Sequence, residues 1–140
     1  MSQYIKKVKA EDRVESSILN RTSDLSRLVG TWVNTNHATR GIARVVLTAT
    51  NGKLFISVFG ACDPAPCDWG KVEADTIYSD NISSQNASAF TARYQFDFGK
   101  TQLQANWNQG LLVVGSFSTY TDGSGRSNYF SREFFRQQGK

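Results

Sequence analysis

Residues 30 to 136 break into eight short segments in which apolar and polar residues alternate, separated by tight turns and opened by Gly30-Thr31-Trp32. A period of two is the pattern of a strand with one wet and one dry face. Nothing of helix length interrupts the series, and a parallel crossover needs a dozen or more residues, so successive strands must pair with their neighbours as an antiparallel meander. A meander of this size escapes exposed edges most simply by closing on itself. The expectation is therefore an all-β domain over residues 23–140, a closed eight-stranded antiparallel up-and-down barrel, preceded by a tail or short helical segment in residues 1–22.

The predicted strands run over 30–36, 42–50, 54–60, 70–79, 88–98, 101–108, 111–121 and 127–136. Asn51-Gly52 is the strongest reversal, because both central positions of a two-residue hairpin need positive φ. Gly99-Lys100, Gln109-Gly110 and Asp122-Gly123-Ser124-Gly125 supply the others. Alternation places Phe90, Ala92, Tyr94, Phe96 and Phe98 on the dry face, with Leu103, Ala105 and Trp107 on the next strand. The same rule turns Val72, Ala74, Thr76 and Tyr78 inward. The second, third and seventh segments are apolar on both faces, so periodicity does not orient them, and an outer face among them is expected to be covered by the N-terminal segment or by a second copy. Ahead of the strands, Tyr4, Val8, Val14, Ile18 and Leu19 carry a loose helical period over residues 4–19, and Ser23-Asp24 can cap a short helical turn that Gly30 ends.

Composition narrows the class. The chain has 140 residues, 39% of them hydrophobic and 20% charged, enough for one domain that needs no metal to hold its core. Sixteen basic and twelve acidic residues give a net charge of +4, with Lys6, Lys7 and Lys9 in the N-terminal tail and Arg126, Arg132, Arg136 and Lys140 toward the other end. Three tail lysines read as a solvated charge run, so neither nucleic acid nor membrane is expected as a partner. No uninterrupted apolar stretch of signal-peptide length opens the chain, which points to the cytoplasm. In a reducing compartment Cys62 and Cys67 read as two thiols, whereas oxidising conditions would favour a bridge between them, and the sequence leaves the choice open. The three Asn-x-Ser/Thr sequons at Asn20, Asn81 and Asn86 carry weight only in a secreted protein.

The run Ser23-Asp24-Leu25-Ser26-Arg27-Leu28-Val29-Gly30-Thr31-Trp32 resembles the entry to the calycin superfamily of lipocalins, fatty-acid-binding proteins and avidins. The resemblance implies a barrel whose floor is closed by Trp32, and from the lipocalins an Arg132 or Arg136 stacked across that ring. The avidin biotin constellation is not reproduced at Thr35, Asn36 and His37, the lipocalin Thr-Asp-Tyr segment is absent, and the run Cys62 to Gly70 matches none of these families.

In an eight-stranded meander every second connection lies at one end, and the unusual ones share it: Asn36, His37 and Arg40; Cys62 through Trp69; Gly99 and Lys100; Asp122 through Arg126. Functional groups gather at such a rim. His37, the single histidine, is a general base only if Asp68, Asp122 or Glu133 orients it, and otherwise a solvated loop residue. A C-x4-C pair is a poor zinc motif, and Asp63 and Asp68 also serve as turn formers. Trp69 either plugs the mouth or offers a flat face to a ligand. Asp122 to Arg126 reads as a glycine hairpin, because no helix follows to make a phosphate cradle.

The function expected is binding of a small, mostly apolar molecule, with an anionic group as an option, by Asn34, His37, Arg40, Asp68, Trp69, Tyr94, Trp107 and Arg126. Two alternatives stand beside it. One is a cyclase or isomerase in which His37, Asp68 and Glu133 move a proton inside the barrel; the other is an interaction protein whose interior is filled by its own aromatics. No metal and no cofactor are expected, and a homo-oligomer is a candidate state.

Overall fold

The computed structural model describes residues 23–139. The helical period read over 4–19 lies outside them. Among the described residues, nine strands form one antiparallel sheet: β1 Gly30–Asn34, β2 Ile42–Thr50, β3 Lys53–Gly60, β4 Cys67–Glu73, β5 Thr76–Ser79, β6 Ala87–Phe96, β7 Gly99–Asn108, β8 Leu111–Tyr120 and β9 Tyr129–Gln137. The spatial order is β4-β3-β2-β1-β9-β8-β7-β6-β5, so the first strand pairs with the last and the sheet curls into a half-barrel. Its register at that junction is set by Trp32 opposite Gln137 and Asn34 opposite Phe135.

The meander and its turns follow the alternation and the turn residues. Asn51 and Gln109 take φ of 53° and 52°, followed by Gly52 and Gly110 at 76° and 86°, the left-handed pair that a tight hairpin demands. The third reversal is displaced. Phe96 pairs with Gly99, so the turn is Asp97-Phe98 and the predicted Gly99-Lys100 instead opens β7.

Closure is where the structure departs from expectation. The predicted strand 70–79 is two strands, β4 pairing only with β3 and β5 only with β6. Between them Ala74 donates its N–H to Leu54 of β3, whereas Asp75 donates to Thr91 of β6. The two edges of the sheet are therefore joined through the chain and not by a hydrogen-bonded ladder, and the barrel is not closed. The bend at Asp75 also adds one outward residue. Val72 and Ala74 pack on the core as predicted, but the face then shifts, so that Ile77 packs inward while Thr76 and Tyr78 are exposed.

Side chains hold the seam that the backbone leaves open. Tyr94 of β6 is buried, and its hydroxyl lies 2.7 Å from the Gly70 carbonyl of β4 and 3.0 Å from the Ile56 carbonyl of β3. Trp69 of β4 meets Tyr94 and Phe96 edge-on, with centroids 5.6 and 5.7 Å apart.

The half of the interior around Trp32 is packed with apolar side chains. Leu28, Trp32, Leu47, Ile56, Leu112 and Phe135 are fully buried, and Leu25 and Leu28 reach the core from a hydrogen-bonded turn. That turn is capped by Asp24, whose Oδ1 accepts the Ser26 N–H, but it does not extend to a helix, and no helix occurs among the described residues. Trp32 lies inside, and its indole N–H donates to the Leu28 carbonyl at 2.9 Å. The arginine expected across it is elsewhere. Arg132 and Arg136 have the parity opposite to buried Phe135, which puts both on the outer face, away from Trp32.

The doubly apolar strands are now oriented. Val45, Leu47, Leu54, Ile56 and Val58 face in. Of the outward aromatics, Phe59 lies under the Arg44 guanidinium and Phe55 under the Lys71 ammonium, at 4.3 and 5.3 Å, so cations shield these rings from water.

Candidate functional site

The connections 35–41, 61–66, 97–98 and 121–128 lie at one end of the half-barrel, and two adjoining depressions open there. The smaller, of about 150 Å3, brings Arg40, Cys62, Cys67 and Trp69 beside Ser116 and Ser131. The larger, of about 540 Å3, is bordered by Asp68, Trp69, Phe98, Lys100, Tyr120 and Arg126. Small residues make this space: the Ser116–Ser131 and Thr101–Ser118 hydroxyl pairs replace the leucines and valines that fill the other half of the interior. Gly60 is needed for a close approach, because a Cβ there would sit 2.9 Å from the Trp69 indole nitrogen. Gly60 thus lets the Trp69 ring lie against β3.

The rings around the larger groove form a continuous ladder. Tyr94 stacks on Phe96, Phe96 on Phe98, Phe98 on Tyr120 and Tyr120 on Tyr129, with centroids 5.1–6.3 Å apart. Arg126 lies over two of them, 4.3 Å from the Tyr120 centroid and 5.1 Å from that of Phe98. Its Nη2 donates to Asp122 at 2.8 Å and its Nε to the Ser124 hydroxyl at 3.0 Å, which fixes the guanidinium plane against the rings. Hydrogen bonds from Ser124, then the charge of Arg126, hold the Asp122 carboxyl below its usual range. Burial, followed by the neighbouring Tyr129, pushes the Tyr120 phenol up.

Of the residues singled out in the sequence, Arg40, Asp68, Trp69 and Arg126 meet at these depressions. Asn34 is buried and serves the loop instead, since its amide donates to the Ile42 carbonyl at 2.8 Å and its Oδ1 accepts the Asn36 N–H, locking residues 35–41. Tyr94 belongs to the seam. Trp107 is at the other end, paired with Leu112 just before the Gln109-Gly110 turn and covered by Arg27 at 4.4 Å. His37 is exposed and makes no hydrogen bond to Asp68, Asp122 or Glu133. Glu133 instead accepts from the Thr39 hydroxyl at 2.7 Å, and Asp68 accepts the Gly70 N–H, so the acid–base set suggested for catalysis is not assembled. Tyr120 and Tyr129 were not singled out. Periodicity offers no signal for the first, because its segment is apolar on both faces and only the burial along β8 orients it, while Tyr129 follows a loop that breaks any period.

The structure also decides the cysteines. Cys62 and Cys67 form a disulfide, with Cα atoms 5.4 Å apart. The sequence leaves thiols and bridge both open, and the pairing of Gly60 with Cys67 at the strand ends decides for the bridge by bringing the two residues to bridging distance. The bridge ties the 61–66 loop between the two depressions. Reduction, or Cys62→Ser with Cys67→Ser, is expected to lower stability by on the order of 2 kcal/mol, the chain-entropy value for so short a loop. Denaturant unfolding with and without reductant measures it, and a free thiol titrating in the untreated native protein would refute the bridge.

No helix among the described residues is long and apolar enough to cross a membrane. Comparison of the chain with known proteins finds no matching family model, no matching curated protein and no matching solved structure.

Proposed function

We propose that the protein binds a small, mostly apolar molecule with an anionic group, in the aromatic groove at the loop-bearing rim. The observation that carries this reading is the ladder of rings. Phe98 and Tyr129 are 42% and 50% exposed, so the fold leaves in water π surface that it does not need for its own core. Arg126 and Lys100 border the same groove and can meet a carboxylate or sulfonate. The calycin-like entry suggests a site deep in a barrel, but the packed core around Trp32 favours the loop-bearing half as the place where a ligand sits. The exposed rings also support a second reading, an interaction protein without a small ligand. A cyclase or isomerase is the weakest reading, since His37 has no carboxylate partner.

Titration with 1-naphthoate, followed by tryptophan fluorescence, tests the site. Quenching through Trp69 is expected, and Arg126→Ala should weaken binding by roughly 1.5–3 kcal/mol, the scale of a hydrogen bond to a charged group. Arg126→Lys should restore only part of this, because an ammonium cannot reproduce the planar fork or its stacking on Tyr120. Absence of a quench across a series of aryl and alkyl acids would leave the interaction reading in place.

A further inference from the structure

A second aromatic cluster lies on the outer face of the sheet, on the side opposite to the one that lines the rim groove. Buried Val114, Ser116 and Phe135 set the inward parity of β8 and β9, so Phe117, Phe130, Arg132 and Phe134 face out. Phe117, Phe130 and Phe134 are 40%, 53% and 46% exposed. Phe117 and Phe130 touch with centroids 4.8 Å apart, and they wall one side of a groove of about 560 Å3 whose other side is Tyr78 of β5. Gln104, Asn106 and Thr91 lie between, and Arg132 enters from β9. No carboxylate lines the groove, and neither Arg132 nor Arg136 joins an ion pair among the described residues.

We propose that this face binds single-stranded nucleic acid. The outward side of β9 reads Phe130, Arg132, Phe134, Arg136, rings alternating with guanidinium groups at about 7 Å spacing. Unstacked bases lie on such rings while arginines neutralise the phosphates between them, a combination that tolerates any base sequence. The Gln104 and Asn106 amides can donate to and accept from base edges. Charge decides among occupants. A second copy related by two-fold symmetry would bring like arginine-bearing faces together, which disfavours it, whereas a polyanion matches both the arginines and the chain's net +4. An acidic peptide would answer the charges but leave the rings and amides unused. Nucleic acid was not expected from the sequence because the basic residues weighed there were the tail lysines; the shared outward face of β8 and β9 is a product of the fold.

The test uses the full chain and a fluorescein-labelled dT20 oligonucleotide, read by anisotropy at 50 and 200 mM salt. Saturable binding that weakens with salt is expected. Phe130→Ala and Phe134→Ala should each weaken it about tenfold, within the range of one lost base stack. Phe130→Tyr should retain affinity. Arg132→Ala and Arg136→Ala should each reduce the salt slope by about one. Near-UV circular dichroism checks that the variants keep the fold, and the Tyr and Arg variants decide the matter if an alanine variant does not. Four results would overturn the proposal: no anisotropy change; binding indifferent to Phe130→Ala and Arg132→Ala but lost on replacing Lys6, Lys7 and Lys9; equal affinity for a labelled polyglutamate peptide; or a concentration-dependent dimer abolished by Phe130→Ala with no oligonucleotide bound.

Discussion

Trp32→Ala is expected to lower the free energy of unfolding by about 3–5 kcal/mol, the range for removing a large aromatic side chain from a packed core. Trp32 is fully buried where β1 joins β2 to β9, and it packs within the cluster that contains Leu28, Leu47 and Phe135. Its loss opens a cavity at the junction between the two halves of the sheet, which the short β1 strand, five residues long, is poorly able to collapse. The indole N–H adds a second cost, since it satisfies the carbonyl of Leu28 in the turn before β1. Trp32→Phe separates the two: it keeps most of the ring and should lose only about 1–3 kcal/mol, the penalty for a buried polar group left without a partner. Urea unfolding measures both variants, and a shift in midpoint at unchanged slope identifies a stability effect. A Trp32→Ala loss below about 1 kcal/mol would mean that the ring is not the core residue described.

The second large effect is at the seam. Tyr94→Ala removes a buried ring and the bond that joins β6 to β3 and β4, with an expected cost of about 3–5 kcal/mol. Tyr94→Phe removes the hydroxyl alone and should cost about 1–3 kcal/mol. The same hydroxyl makes a pH prediction. Burial is the main cause that pushes the Tyr94 phenol up to about 12 from its usual 10, so the neutral form is the one the fold favours. A raised folded value means that this contribution is whole below pH 10 and is lost as the pH rises through 12. The stability advantage of the native chain over Tyr94→Phe should therefore narrow between pH 10 and 12, read from denaturant midpoints across that window. An advantage constant over the same range would show that the hydroxyl is not buried. Because β4 has no ladder to β6, hydrogen exchange in Cys67–Glu73 should also rise in Tyr94→Phe.

Much of the fold was legible in the residues, for reasons local to each segment. Alternation oriented residues 88–96 and 101–107, since one face of each is too polar to be buried. Asn51-Gly52 and Gln109-Gly110 located two turns, because each pair supplies the positive φ a two-residue reversal requires. Gly-x-Trp marked the first strand, and Trp32 is indeed inside. The parity of the connections assembled Arg40, Asp68, Trp69 and Arg126 at one end without any knowledge of distance.

Local signals do not fix where two distant strands stop being neighbours. The passage of the chain from β3 to β6 at Ala74-Asp75 depends on how far the curled sheet separates those strands, so an alternating run 70–79 looked like one strand and a closed barrel. Whether His37 finds a carboxylate is likewise decided elsewhere, by Asn34 locking its loop and by Thr39 engaging Glu133 across 94 positions of sequence. The ring ladder at the rim draws on three strands and a turn, and the outer aromatic face on β5, β8 and β9. The sequence by itself determined every strand but the run 70–79, the meander that joins them and the end at which the polar connections gather, because periodicity and turn stereochemistry act over a few residues. The open seam, the disulfide, the depressions at the rim and the two aromatic faces were decided by tertiary structure alone, because each depends on distances between segments that only the curl of the sheet sets.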